Sequence, residues 1–175
     1  MSDFELAVDF VLSNEGGCVE NLDGDGSPTN SGIKLDTLLA AYPNEKFDFD
    51  DVRNLTLEKK KEVLKIVYWD KSTLGQIPYQ NIATTIFDAA VHCGLSEAVK
   101  FSQRAIWATY GKYDFIKDDG IMGEKTLNAI RASGFNFLPA FRSERASFYK
   151  LVCKTHPEKE KFLAGWLERA YKNVR

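Results

Sequence analysis

Apolar residues at Phe4, Ala7, Val8, Val11 and Leu12 recur at the spacing that lines one face of an amphipathic helix, and the pattern stops at Glu15, Gly16 and Gly17. Helical periodicity fills most of the rest. Leu35 to Tyr42 reads as a short helix stopped by Pro43, and Thr56 as the cap of TLEKKKEVLKIVYW, with Leu57, Leu64, Val67 and Tyr68 on one face. After a loop through Gly75 and Pro78, NIATTIFDAAVHCG reads as a buried helix closed by Gly94, and SEAVKFSQRAIWATYG as one opened by Ser96 and closed by Gly111. GEKTLNAIRASG, PAFRSERASFYKLVCKT with Pro139 in its first turn, and PEKEKFLAGWLERAYK complete the series. The stretch from Cys18 to Ile33 breaks the period, being full of Asp, Gly, Asn, Ser and Thr, with a DGDG that suits a tight hairpin turn. These elements predict a mainly α fold with one small β-hairpin after the first helix.

Composition narrows the class. At 175 residues and 44% apolar, the chain can fill one core, or two small lobes sharing one. Cys18, Cys93 and Cys153 are odd in number and widely spaced, so they suggest neither a disulfide framework nor a metal site, and a reduced cytoplasmic place of synthesis fits. No apolar run approaches the roughly 18 residues a membrane helix needs, and the N-terminus is acidic where a signal peptide is basic. No stable membrane insertion and no export signal are expected. Residues 1–55 hold twelve Asp and Glu against three Lys and Arg, whereas residues 140–175 hold nine Lys and Arg against four Glu. The basic residues of the tail are interleaved with Glu158, Glu160 and Glu168, which argues against nucleic acid and leaves a solvated helix face or contact with an anionic polymer.

Glu15 carries the chemistry. A carboxylate at a helix C-terminus faces the negative end of the macrodipole, where cations are preferred. Partial burial and that helix end both favour a carboxyl that keeps its proton, and such an acid can protonate the leaving oxygen of a glycosidic bond, as the first helix of a lysozyme arranges it. Gly16 and Gly17 leave the backbone open to an approaching sugar. Asp23 and Asp25 are candidate second carboxylates, and Thr29 is a hydroxyl able to hold a water. The bland readings are that Glu15 is a plain C-cap and that the aspartates cap their turn.

The pattern goes further. Glu15-Gly16-Gly17, then Asn21, Asp23 and Gly26, then Thr29-Asn30 with Gly32-Ile33, resembles the EGGY, Asp/Gly-rich turn and T-N-x-G-I signature of the N-acetylmuramidases of glycoside hydrolase family 108. Tyr68-Trp69, Pro78 and Phe87-Asp88-Ala89-Ala90-Val91 with Gly94 are similar to that family's later elements. The C-terminal half resembles the predicted peptidoglycan-binding domain that accompanies it, through Gln103, Asp119-Gly120, Gly123, Thr126, Glu144-Arg145, Phe148-Tyr149, Phe162, Gly165-Trp166 and Arg169. The resemblance implies a lysozyme-like fold with a catalytic lobe over residues 1–94 and a helical lobe over 95–175. It implies a peptidoglycan hydrolase, an N-acetylmuramidase cleaving the β-1,4 bond between N-acetylmuramic acid and N-acetylglucosamine, in phage-type lysis or in wall opening for secretion. Glu15, Asp23 and Thr29 are then the candidate catalytic residues, and Gly16, Gly17, Asp25, Asn30 and Trp69 the candidate sugar contacts. No cofactor or metal is expected, the partner is the bacterial wall, and the protein is expected to be a monomer. It would be made in the cytoplasm and reach the periplasmic wall through a holin, an export system or lysis. Cys18 stands where the family has an aromatic, Gly26-Ser27 where it has Gly-Gly, and His92 where it has Asn, a position read here as a satisfied structural histidine.

Other chemistries fit less well. Asn21, Asp23, Asp25 and Gly26 copy four positions of a calcium loop, but Gly32 stands where that loop needs a bidentate Glu. Two histidines, His92 and His156, are too few for a zinc amidase, and Cys153 with His156 reads as core packing rather than a thiol protease. A wall-binding module with weak or lost activity, and a lytic transglycosylase using the same Glu, are the remaining alternatives. A tryptophan serves as a sugar platform only if it faces a groove; Trp69, Trp107 and Trp166 could each be core instead.

Overall fold

The computed structural model describes residues 1–20 and 27–174. Helix α1 spans Phe4–Asn14 and is started by Asp3, whose carboxylate accepts from the backbone N–H of Glu5 at 2.7 Å and of Leu6 at 3.2 Å. Ala7, Val8 and Val11 are its buried face. The helix is one residue shorter than expected: Glu15 is the cap, its N–H reaching Val11 while its backbone is already extended (φ −89°, ψ 142°). Strand β1 (Cys18–Val19) pairs antiparallel with β2 (Thr29–Asn30), Cys18 opposite Asn30 and Val19 opposite Thr29. The DGDG segment expected to make the hairpin turn lies outside the described residues. The tight turn that is described follows β2. Asn30 and Ile33 exchange both backbone hydrogen bonds, at 2.9 and 3.0 Å, around Ser31 and Gly32, which both have positive φ. That combination defines a two-residue turn matched to strand twist, and it favours Gly at its second position.

Helix α2 (Leu35–Ala41) ends before Pro43 as expected. Helix α3 (Phe49–Arg53) was not anticipated, although a reciprocal capping box of Asp48 and Asp51 starts it. Helix α4 (Leu57–Leu64) is capped by Thr56 and widens into π-helical turns over Lys65–Asp70. The wider turns place Trp69, five residues after Leu64, on the buried side with Val63 and Leu64, while Leu57 in the first turn of α4 is 55% exposed. Helix α5 (Gln80–Cys93) is the central element, buried from Ile82 through Val91. It turns at Gly94 (φ +92°) directly into α6 (Leu95–Tyr110), with Gly94 rather than Ser96 in the cap position. Helices α7 (Glu124–Ser133), α8 (Phe137–Thr155) and α9 (Leu163–Tyr171) follow. The last segment, expected as one helix, begins instead with 3-10 turns over Pro157–Phe162.

One continuous apolar core runs from Ala7 in α1 to Phe141 in α8, crossing Gly94 without a break. Inside it α5 carries an acid. Asp88, 1% exposed, accepts from Arg145 Nη1 at 2.7 Å and from Arg169 Nη2 at 2.8 Å, so α5, α8 and α9 are fastened at one point. Removing the acid strands the buried Arg145 cation, because a buried charge without its partner is far more costly than the intact pair is stabilising. Asp88→Asn should therefore lower unfolding free energy by about 3–5 kcal/mol, measured by urea denaturation. A loss under 1 kcal/mol would contradict this account.

Candidate active site

Glu15 stands where α1 hands the chain to the hairpin. No basic residue occupies the last turn of α1, so the compensation for the helix dipole comes from elsewhere in the chain. Arg169 Nη2 of α9 donates to Glu15 Oε1 at 2.5 Å, and both side chains are 12% exposed. The other oxygen faces the turn after β2: a Cβ added to Gly32 would lie 3.6 Å from Oε2 and 3.1 Å from Val91 Cγ1. Gly32 also has φ +79°, so space and backbone both exclude a larger residue. Ser31 Oγ donates to the Gly16 carbonyl at 3.3 Å, tying the turn to the helix end. Around Gly16 and Gly17 the space is open, with nothing within 4 Å of an added Cβ. Tyr68, in the π-helical turns, has its phenol pushed up by burial, with the nearby Glu15 charge adding to the effect.

Behind Glu15 runs a chain of charges. Arg169 grips Asp88 through Nε, at 3.1 Å to each oxygen, as well as through Nη2. Asp88 also accepts from Asn14 Nδ2 at 3.3 Å. Burial alone would push the Asp88 carboxyl up, but the guanidiniums of Arg145 and Arg169 hold it below the usual aspartate range. Arg145 Nε donates to the Tyr149 hydroxyl oxygen at 2.7 Å. The Tyr149 proton is then free for His92 Nδ1, 2.7 Å away. Burial, reinforced by the positive charges of Arg169 and Arg145, lowers the His92 imidazole to about 3. His92 is thus a neutral, hydrogen-bonded structural residue. It also lines a cleft of about 440 Å³ between α1 and α9, together with Trp166, Arg169 and Lys172.

The predicted site residues fall into four groups. Glu15, Gly16 and Gly17 meet at the mouth of the hairpin. Asp23 and Asp25 lie outside the described residues, as do Asn21 and Gly26 of the calcium-loop pattern. Thr29 is 6% exposed and its hydroxyl lies 3.5 Å from the Ile33 carbonyl, at the weak limit of a hydrogen bond. The remaining two are corrected. Asn30 is 3% exposed and its amide donates to the carbonyls of Val52 and Arg53, so it anchors the hairpin to α3 instead of presenting itself to a sugar. Trp69 is 4% exposed, wedged between Phe4 and Phe87 at ring distances of 5.7 and 5.5 Å, with no face open for stacking. Trp166 is the tryptophan that lines the cleft. Asp88, Arg145 and Arg169 were not among the predicted site residues. The available signal was a lone carboxylate inside the apolar run IATTIFDAAV, which a helix can bury only against a cation.

An acid ending a first helix, a small hairpin beside it and a helical lobe behind it define a lysozyme-like glycoside hydrolase. Residues 8–94 match Glycosyl hydrolase 108 and residues 97–171 match the Predicted Peptidoglycan domain; the chain belongs to glycosyl hydrolase family 108. The solved structure of SagA from Brucella abortus is similar to it, with TM-score 0.74 and 27% identity over 98% of this chain and 95% of that one. No curated protein matches the chain. The protein is accordingly a glycoside hydrolase whose polymer is peptidoglycan.

The depressed His92 makes stability depend on pH. Its folded pKa lies below the unfolded value of 6.5, so its contribution is complete above 6.5 and is lost as pH falls toward the folded value of about 3. The loss is about 1.4 kcal/mol for each pH unit in that window. His92→Asn should lose less stability than the wild type between pH 7.5 and pH 5 in thermal melts. Equal losses in both proteins would remove His92 as the source.

Proposed function

We propose that the protein is an N-acetylmuramidase in which Glu15 protonates the oxygen of the β-1,4 bond between N-acetylmuramic acid and N-acetylglucosamine. The observation that carries this reading is the setting of Glu15: a carboxyl only 12% exposed, at a helix end, beside two glycines with open space around them. As the Glu15 O–H bond breaks and the glycosidic oxygen takes the proton, the bond to the anomeric carbon breaks and positive charge develops on the ring. Water adds to that carbon, and its proton passes to a base on the far face.

Thr29, whose hydroxyl makes one weak hydrogen bond among the described residues, and Asp23 from the segment between the strands are the groups we assign to that water. An inverting displacement leaves roughly 6.5–9.5 Å between the two carboxyls, whereas retention needs about 5–5.5 Å. A helix end facing a hairpin favours the wider spacing, and hence an α product. The polymer would lie along the mouth formed by Gly16, Gly17 and the hairpin, with Trp166 at the edge of the neighbouring cleft. We further propose that the enzyme is made in the cytoplasm and meets the wall after release through a holin, an export system or lysis, in lysis or in local wall opening.

Glu15→Gln keeps the shape and an oxygen for Arg169 but has no proton to transfer. Release of reducing ends from purified sacculi should fall by about a hundred- to ten-thousandfold with the circular dichroism spectrum unchanged. A variant keeping half the wild-type rate would remove Glu15 as the acid. NMR of the first-formed anomer and mass spectrometry of the fragments test the rest: β product means retention, and anhydro ends mean a transglycosylase.

A further inference from the structure

Arg169 belongs to the segment that matches the peptidoglycan domain, yet its guanidinium touches the acid of the glycosidase segment. We propose that Arg169 is a positioning residue of the hydrolytic site, holding Oε1 of Glu15 so that the transferable proton resides on Oε2, on the side of the hairpin. The proposal rests on Glu15 being the general acid. It makes the C-terminal domain a part of the catalytic apparatus as well as a wall-binding unit.

The argument is one of donors and acceptors. In a carboxylic acid the carbonyl oxygen is the stronger acceptor, and a strong cationic donor therefore favours the proton on the other oxygen. Arg169 Nη2 donates to Oε1 at 2.5 Å, and a guanidinium has no acceptor, so Oε1 must be the accepting oxygen. The O–H is therefore on Oε2, which faces Gly32. When that O–H bond breaks and the glycosidic oxygen takes the proton, the new carboxylate already has a cation on Oε1. Charge that develops in the transition state thus meets a donor fixed in advance.

The donor is fixed because Arg169 cannot swing. Two of its nitrogens are held by Asp88, which is 1% exposed and is itself held by Arg145 and Asn14. Among the described residues, the charged and titratable groups around Glu15 are Arg169 from α9, Asp88 behind it on α5 and Tyr68 from the π-helical turns, with Lys34 acting on Tyr68. Arg169 is the one in contact. A purely structural tether would need only to join α9 to α1, and Lys172 already does so by donating to Asn14 Oδ1.

The test compares Arg169→Met, Arg169→Lys and the control Lys172→Met on purified sacculi between pH 4 and 9, with circular dichroism as a check on folding. For Arg169→Met, kcat should fall at least tenfold with half-saturating substrate within about twofold. Loss of the cation favours the neutral carboxyl, so the alkaline limb of the profile should move up by about one pH unit or more. Arg169→Lys keeps the charge without the planar fork, so kcat should fall while the limb stays in place. Lys172→Met should behave as wild type. If Arg169→Met does not fold, the Lys variant decides: wild-type kcat in it overturns the proposal. An unmoved alkaline limb in folded Arg169→Met overturns it as well. An inactive wild type would instead defeat the assignment of Glu15 as an acid, so the two failures are distinguishable.

Discussion

A carboxylate in the middle of an apolar helix constrains everything around it. Asp88 has almost no contact with water, so it persists as an ion only because two guanidiniums and an amide surround it. Those partners come from α8, α9 and the end of α1, which are far apart in sequence. Satisfying one buried charge therefore fixes where three helices meet. It also fixes the order of events at the surface: Arg169 is oriented by Asp88, and Glu15 is oriented by Arg169. Replacing the buried ions with apolar residues of similar volume could leave the fold as stable. What would be lost is the direction in which the guanidinium points.

The hairpin solves a complementary problem. The turn after β2 has to be held beside the helix end that carries Glu15. The Ser31-Gly32 turn packs beside Glu15 and Val91, and glycine suits its second position because φ is positive and an added Cβ would come within 3.1 Å of Val91 Cγ1. Asn30 then pins the turn to the last carbonyls of α3, satisfying two acceptors that a helix C-terminus leaves unpaired. Its amide is therefore turned inward, to α3. The open side is left to Gly16 and Gly17.

Local patterns made much of this legible. The spacing of Phe4, Ala7, Val8 and Val11, the break at Glu15 and the glycines at 94 and 111 are local signals, and α1, α5 and α6 follow them to within a residue or two. Failures came where a long-range or irregular feature decides. The π-helical turns rotated Trp69 inward, and periodicity counted at 3.6 residues per turn cannot anticipate that shift. α3 was overlooked because five residues give no periodicity, although its Asp48 and Asp51 box is a local signal that can be read. Glu15 stands out in the sequence because its position violates the dipole rule. Arg169 does not, because nothing within α9 tells which acid, 154 positions earlier, it will meet.

The charge asymmetry of the chain has the same explanation. Nine cations in residues 140–175 suggest a surface for an anionic polymer, but composition counts buried and exposed charges alike. Arg145 is sealed in the core, Arg169 is committed to Asp88 and Glu15, Lys172 to Asn14, and Arg142 to the backbone of Lys172 and the side chain of Asn173. Two of the tail's cations, Arg145 and Arg169, thus meet acids of the N-terminal half from inside, and Lys150, Lys154 and Lys161 are left exposed. The tail's exposed positive charge is therefore smaller than its composition suggests. Its long-range attraction is correspondingly modest and readily screened by salt. One apolar core spans both family segments, and Asp88 of the first meets Arg145 and Arg169 of the second inside it.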